Sequence, residues 1–511
     1  MPSPMKLEAG QSNLEKGNEL SAQGNFKEAI EQYKKAIDLE PSSVRGWEQL
    51  AIACEESEEL DTAISCYRQI IQLRPKNSRA YINLAKALKQ QNQIEEAIVA
   101  YQDAIELKPE QPPGVFRDFG KMLSQKGKLD DAIAVYERAI SLNPERPAKL
   151  YLDLGDLLTQ KRQFNKALPC YLKAIEINPD LPSPYQKLKF FQVPPSHFNE
   201  VTQCFYDAIE KNPDLPFEIF IRLGDILTKQ GKIEEAIECY RKASYNKIKK
   251  QRPRLVKKGW DFQNLNEPDF IIMGVGKCGT TALAKYLEQH PKVLFSIEKE
   301  LHFFSKNFKA GLDWYKAHFP SIPENRKFLT GEATPWYFSS GGAEKRIFKS
   351  LPHVKLILIL RNPVDRAFSH YSMNVKLGRE HRSFEEAIAS EIKVLQSLPD
   401  VTKTNRENYW KTETGNLLMG LYICFLEKWL ALFPKEQILI LRNEDLSQQP
   451  AETMQQVFQF LELPDFQLPR YKKHNSGSYS PMSEDVYQTL SDFFVPYNEK
   501  LEERLNMKFD W

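Results

Sequence analysis

The chain has 511 residues, which at roughly 150 residues per domain predicts two to four folded units. Lys and Arg number 70 against 68 Asp and Glu, and a net charge of +2 lacks the basic excess of a dedicated nucleic-acid binder. Hydrophobic residues at 41% and aromatic residues at 11% can fill sizeable cores, which excludes a predominantly disordered chain.

The opening stretch, MPSPMKLEAGQSNLEKG, has no apolar segment of the kind a secretory signal needs. The longest aliphatic run, Val354 to Leu360, contains Lys355 and is far too short for a membrane span. Seven cysteines (54, 66, 170, 204, 239, 278 and 424) are scattered and form no CxxC pair. The expectation is a cytoplasmic protein with reduced thiols, and neither a disulfide nor a zinc framework.

The first half repeats itself. FKEAIEQYKKAIDLEP, ending at Pro41, recurs in segments ending at Pro75, Pro109, Pro144, Pro179 and, more weakly, Pro213, in steps of 34, 34, 35, 35 and 34 residues. A seventh copy, IEEAIECYRKAS, starts at Ile233. Ahead of each copy lies a second helical pattern with an aromatic, a Leu and a small residue, such as Tyr81, Leu84 and Ala85. Ala97, Tyr101 and Ala104 fall at i, i+4 and i+7 on one helix face. Gly24, Gly127 and Gly231 lie in turns where a positive φ costs glycine nothing. The pattern resembles the tetratricopeptide repeat over residues 10–246, about seven units stacked into an α-solenoid. The sixth unit is degenerate, with Lys189 in place of a small residue and FFQVPPSH breaking the pattern. A solenoid implies a groove for a protein partner, while its Ala, Tyr and Leu positions read as core.

Residues 245–258, YNKIKKQRPRLVKK, hold seven Lys or Arg. They read as a solvated helix end and a basic linker over 247–266, without the interleaved aromatics of a nucleic-acid site.

The second half carries the chemistry. DFIIMGV (Asp269 to Val275) reads as a buried parallel strand, followed by a loop, Gly274-Val-Gly-Lys-Cys-Gly-Thr-Thr281, and a helix ending before Pro291. Strand, glycine loop and helix N-terminus form an arrangement that cradles a phosphate. A Walker A loop would place lysine after the last glycine, whereas here Lys277 lies inside the loop, and no acidic partner for Mg²⁺ is evident. A kinase stays as a minor alternative.

A lysine inside the loop followed by G-T-T resembles the 5′-phosphosulfate loop of the sulfotransferases. Further segments resemble the heparan sulfate and carbohydrate sulfotransferases: Glu298-Lys-Glu-Leu-His-Phe-Phe304, GLDWY from Gly311, Gly331-Glu-Ala-Thr-Pro-Trp-Tyr-Phe338, and Arg361-Asn-Pro-Val-Asp-Arg-Ala-Phe-Ser-His-Tyr371. The likeness covers nearly all of 268–511. It implies a multidomain chain, with an all-α tetratricopeptide solenoid ahead of an α/β, P-loop-like, three-layer sulfotransferase domain (267–511) built on a central parallel sheet. It implies 3′-phosphoadenosine 5′-phosphosulfate (PAPS) as co-substrate and no metal. Gly276, Lys277, Cys278, Gly279, Thr280 and Thr281 would hold the 5′ end, and Arg361 and Ser369 the 3′-phosphate. Ser476, Gly477 and Tyr479 belong to a loop resembling the family's nucleotide cover, where Lys472 and Lys473 stand upstream of the tyrosine. Lys277 would neutralise charge on the departing nucleotide, and Glu300 would accept the acceptor's proton. His302 either orients the acceptor or is a packed core residue. Ala333 stands where the heparan-type enzymes commonly carry Lys, so the donor site matches the family better than the acceptor site does. The expected acceptor is a glycan hydroxyl or amine, with a protein or peptide tyrosine presented by the repeats as the alternative. A non-catalytic repeat scaffold with a nucleotide-binding domain is the reading from another class. Neither a nucleic-acid partner nor a membrane span is expected.

Overall fold

A computed structural model of the chain describes residues 4–145, 147–189, 191–257, 260, 265–321, 328–398, 415–471 and 482–511. Packing divides the chain into two compact units, Met1–Leu215 and Pro216–Trp511.

The first unit is a series of six helix pairs, starting with Pro4–Ala22 against Phe26–Leu39 and closing with Pro182–Lys189 against Phe198–Lys211. The repeat tyrosines Tyr33, Tyr67, Tyr101, Tyr136 and Tyr171 are fully buried, as the helical spacing predicts. Small residues opposite them set the helix separation: a Cβ on Gly120 would lie 2.5 Å from the Tyr136 ring. In the sixth unit the first helix is cut to Pro182–Lys189 and followed by a 3-10 turn, Pro195–His197. Pro194 and Pro195 lack the N–H groups a continuing helix needs.

The turns within the first five pairs each place one residue in the left-handed region: Gly24 (φ 81°), Glu58 (63°), Asn92 (61°), Gly127 (76°) and Arg162 (58°). Only two of the five are glycine. The backbone geometry is therefore imposed by the helix pair and tolerated by other residues at a cost of about 1–2 kcal/mol.

The second unit begins with a seventh pair, Phe217–Lys229 and Ile233–Gln251. Its sheet is five-stranded, in the order β2-β3-β1-β4-β5, where β1 is Phe270–Gly274, β2 Val293–Phe295, β3 Leu329–Ala333, β4 Lys355–Leu360 and β5 Ile438–Arg442. All four pairings are parallel. β1 is buried along its whole length and β4 nearly so, the pattern of strands covered on both faces. The strand order reverses at the β1/β4 boundary, where open α/β sheets form their ligand crevice beyond the carboxyl ends of the strands.

In the basic stretch Lys249, Lys250, Arg254 and Lys257 are exposed, and Lys247 departs from the expected solvated turn. Helix Ile233–Gln251 runs through it, and Lys247 and Ile248 are buried. Ile248 packs on Leu294 of β2, and Lys247 Nζ donates to the Ser296 carbonyl at 2.7 Å. No helix among the described residues is long and apolar enough to cross a membrane.

The repeat turns give a direct test. A Cβ at Gly127 would meet nothing within 4 Å, so Gly127→Ala should cost only backbone strain, about 1 kcal/mol. Gly127→Asn should cost less than Gly127→Ala, because asparagine tolerates this conformation and Asn92 adopts it at the matching turn. Urea midpoints of the two variants beside the parent chain would read the difference.

Candidate active site

The loop after β1 is shaped by its neighbours. Val275 N–H donates to the Ile359 carbonyl at 3.0 Å, extending the β1–β4 ladder by one residue. The chain then turns through Lys277 (φ 75°) and Gly279 (φ 94°) into helix Thr280–Leu287. Gly279 has a packing reason beyond its φ, because a Cβ there would collide with the Asn443 side-chain amide. Asn443, just past β5, donates to the Cys278 carbonyl at 3.0 Å and pins the loop. The first helical bond is Leu283 N–H to the Gly279 carbonyl, so the N–H groups of Thr280, Thr281 and Ala282 precede it.

A second anchor rises from β4. Arg361 follows its last residue, and Asn362 caps helix Pro363–Lys376 by accepting from Val364 N–H at 2.9 Å. The Arg361 carbonyl accepts from Tyr422 Oη at 2.8 Å, and its guanidinium lies 3.5 Å from Asp365. A third anchor follows β2, where Glu300 N–H donates to the Ala333 carbonyl at 3.0 Å, tying this segment to the end of β3. Glu300 (φ 66°) and His302 (φ 55°) both hold left-handed backbone, a strain of order 1–3 kcal/mol that persists where the surroundings impose it. Lys299 Nζ donates to Thr281 Oγ1 at 2.7 Å, joining this segment to the glycine loop.

These anchors enclose one cleft of about 620 Å³. Gly276, Lys277, Gly279, Thr280, Thr281, Glu300, Arg361 and Ser369 all line it. Cys278 is the exception within the loop. Its side chain is buried away from the cleft with Sγ 3.6 Å from Tyr422 Oη, and burial pushes its thiol up to about 11, so only its backbone can serve the site. His302 does not line the cleft either; its Nε2 lies 3.8 Å from Glu300 Oε2, beyond hydrogen-bond range. Ser476, Gly477 and Tyr479, with Lys472 and Lys473, lie outside the described residues.

The cleft adds residues that sequence reasoning left out: Lys299, Arg366, His370, Met373 and Asn443. Arg366, Ser369 or His370, and Met373 follow i, i+3/4, i+7 on helix Pro363–Lys376, a spacing that could have found them once Ser369 was chosen. Arg366 is buried and donates to the Asn416 carbonyl at 3.0 Å, while the Asn416, Leu417 and Leu418 N–H groups all donate to buried Glu391. Lys277 Nζ stands 3.8 Å from Met373 Sδ. Burial, with Arg366 and Lys277 nearby, pushes His370 down to about 3, so its ring is neutral at physiological pH. Among the described residues, the charged lining is thus four cations, Lys277, Lys299, Arg361 and Arg366, against the single carboxylate of Glu300. Such a cleft suits an anion with charge at more than one point.

Residues 267–492 match the family model described as a sulfotransferase domain. Tetratricopeptide-repeat models match residues 17–57, 56–114, 118–146, 148–181 and 217–246. The second half is a sulfotransferase domain behind tetratricopeptide repeats. The membrane-associated sulfotransferase kil1 of Dictyostelium discoideum is 29% identical over 313 residues, covering 48% of this chain and 66% of that protein. Heparan sulfate glucosamine 3-O-sulfotransferase 3A1 of Mus musculus is 30% identical over 269 residues, covering 48% and 64%. The chain thus spans less than two thirds of the length of either relative. Among solved structures, a sulfotransferase from Alicyclobacillus acidocaldarius aligns at 28% identity and a TM-score of 0.40, covering 48% of this chain and 98% of that one.

Beneath this cleft lies Glu332 of β3, fully buried and accepting from Tyr315 Oη (2.7 Å), Tyr337 Oη (3.0 Å) and Thr334 Oγ1 (2.5 Å). It braces the turn that presents Pro335 and Trp336 to the cleft and does not itself line it. Burial raises its pKa to about 7, partly offset by the three hydroxyl donors. A folded-state value above the ordinary carboxylate range means the stabilising contribution is complete below about pH 4.5 and lost as pH rises toward 7. Stability should therefore fall by about 3 kcal/mol across that window from this group. Glu332→Gln should flatten the slope in urea titrations between pH 4.5 and 7.5; an unchanged slope would remove Glu332 from that role.

Proposed function

We propose that this protein transfers a sulfuryl group from PAPS to a hydroxyl or amine of an acceptor, with a glycan as the acceptor. The observation that carries the reading is that the residues matching the family's two anion motifs and its general base line a single cationic cleft. Gly276 to Thr281 and the N-terminus of helix Thr280–Leu287 would receive the 5′ end. Arg361, with Ser369, would take the 3′-phosphate through its planar fork. The heparan-acting relatives support a glycan over a protein acceptor.

The chemistry follows from that placement. The acceptor oxygen or nitrogen attacks sulfur in line, a new bond to sulfur forms, and the bond from sulfur to the 5′-phosphate oxygen breaks. Adenosine 3′,5′-bisphosphate leaves with the bonding pair, and the acceptor proton passes to Glu300, whose half-exposed carboxylate is open to an incoming substrate. Lys277 offsets the charge growing on the departing phosphate, and Lys299 holds Thr281 in register from the opposite wall. Positioning and charge stabilisation suffice, with no covalent enzyme intermediate. The repeats would offer a protein partner their groove, and a cytoplasmic location accompanies this reading.

Calorimetry with adenosine 3′,5′-bisphosphate and with ATP, both without metal, tests the donor: tight binding of the bisphosphate and weak binding of ATP is expected, and the reverse would favour a kinase. Labelled sulfate from PAPS should enter a glycan in a panel of glycans, tyrosine peptides and cell extract. Lys277→Ala should lower transfer about 100-fold or more, and full activity in that variant would refute the mechanism. Glu300→Gln should lower turnover by about 10²–10⁴-fold while leaving bisphosphate affinity nearly unchanged.

A further inference from the structure

Two cations of the seventh helix pair, Arg222 and Lys247, and Arg252 just past its end all reach one short stretch of the α/β domain. Arg252 donates to the carbonyls of Pro291 (2.6 Å), His290 (3.3 Å) and Val293 (3.1 Å). Lys247 donates to the carbonyl of Ser296, whose hydroxyl in turn donates to the Glu298 carbonyl at 2.7 Å. Arg222, buried on helix Phe217–Lys229, holds both carboxylate oxygens of Glu298 at 2.6 Å and is itself paired with Asp225. β2 is an edge strand, and these contacts cover that edge and continue past its end.

The same pair is locked from a second direction. Trp314 Nε1 donates to Thr228 Oγ1 at 2.8 Å, and the Tyr240 ring lies 3.9 Å from the His318 ring, with Tyr240 Oη donating to Asp225. The His318 carbonyl accepts from Ile297 N–H at 2.8 Å, so the backbone just before Glu298 is fixed as well. The next two residues are Lys299, bonded to Thr281, and Glu300. No helical-repeat spacing asks for an arginine at 222. Its side chain is buried, and its carboxylate partner across the fold is two residues from the proposed base.

We propose that the seventh repeat pair is a working part of the catalytic unit and that Arg222, acting through Glu298, is a positioning residue for Lys299 and Glu300. The role rests on reading Glu300 as the proton acceptor. Its Nη2 reaches both Glu298 oxygens while Nη1 takes Asp225, so the rigid planar guanidinium joins the two carboxylates at a set spacing, which the single nitrogen of a lysine would not do. With that clamp in place, the strained backbone at Glu300 and His302 has one arrangement; without it, the segment can relax away from the glycine loop.

The test uses the full chain with Glu298→Gln, Arg222→Lys and Arg222→Met. Three measurements are made: sulfate transfer from labelled PAPS to partially desulfated heparan sulfate, calorimetric affinity for adenosine 3′,5′-bisphosphate, and hydrogen exchange of amides 298–302. Glu298→Gln keeps the side-chain size and one carbonyl acceptor, so the fold should persist. It should lower kcat tenfold or more, leave bisphosphate affinity within about twofold, and speed exchange across 298–302 tenfold or more. Arg222→Met should match or exceed these effects, and Arg222→Lys should fall between it and the parent. Unchanged kcat and unchanged exchange would overturn the proposal, as would a loss of bisphosphate affinity in step with kcat, which signals general unfolding. If the parent chain neither binds the bisphosphate nor transfers sulfate, the sulfotransferase reading fails, while the exchange data still decide whether Arg222 holds the segment.

Discussion

The pairing of β1 with β4 is the constraint on which the site depends. Ile271 and Ile272 sit against Leu356 and Ile357, and the ladder carries on past the strand to Val275 and Ile359. That register delivers the glycine loop and Arg361 to the same edge of the sheet, although they come from distant parts of the chain. Parallel strands hold these two segments at a set spacing because both run toward the crevice. The strands are apolar on both faces, so the hydrophobic effect buries them while their hydrogen-bonded register sets the distance between the two segments.

Around that core, buried charges do the aiming. Glu391 gathers three backbone N–H groups at 416–418, and the Asn416 carbonyl in turn steadies Arg366 under the cleft. Glu332 gathers three hydroxyls beneath the turn that carries Trp336. Arg222 joins Glu298 and Asp225 where the helix pair meets the α/β core. A buried ion is costly unless every bond it can make is filled, so each of these groups tolerates few alternative arrangements of its neighbours. Glu391 and Glu332 stand one layer behind Arg366 and Trp336, which line the cleft, and Arg222 stands behind Glu298, next in sequence to Lys299 and Glu300.

The solenoid follows a different rule. Its units repeat one local solution, a small residue facing a buried tyrosine and a left-handed turn between helices, and each solution is completed within the pair. The seventh pair keeps that pattern, with Gly224 against Tyr240, yet packs within the unit that holds the sheet. One repeat design therefore serves both as a stacking module and as the cover of an edge strand.

Local information decided much of this protein. The 34-residue period, the small-residue and tyrosine faces, the strand–loop–helix around Lys277 and the Arg361 strand end are all short-range patterns, and the hydrophobic period reports them directly. Thr280, Thr281 and Ser369, which share a motif or a helix with those signals, and Glu300, taken from the family resemblance, all line the cleft. The sequence alone could not reach Lys299 on Thr281, Asn443 behind Gly279, or Arg222 on Glu298, because each joins segments that no sequence period relates. It missed the burial of Lys247 for the same reason: a lysine reads as solvated until a backbone carbonyl is shown to accept its hydrogen bond. The side chain of Cys278 was likewise settled only in three dimensions, since a loop residue can face ligand or core, and Tyr422 lies on the core side.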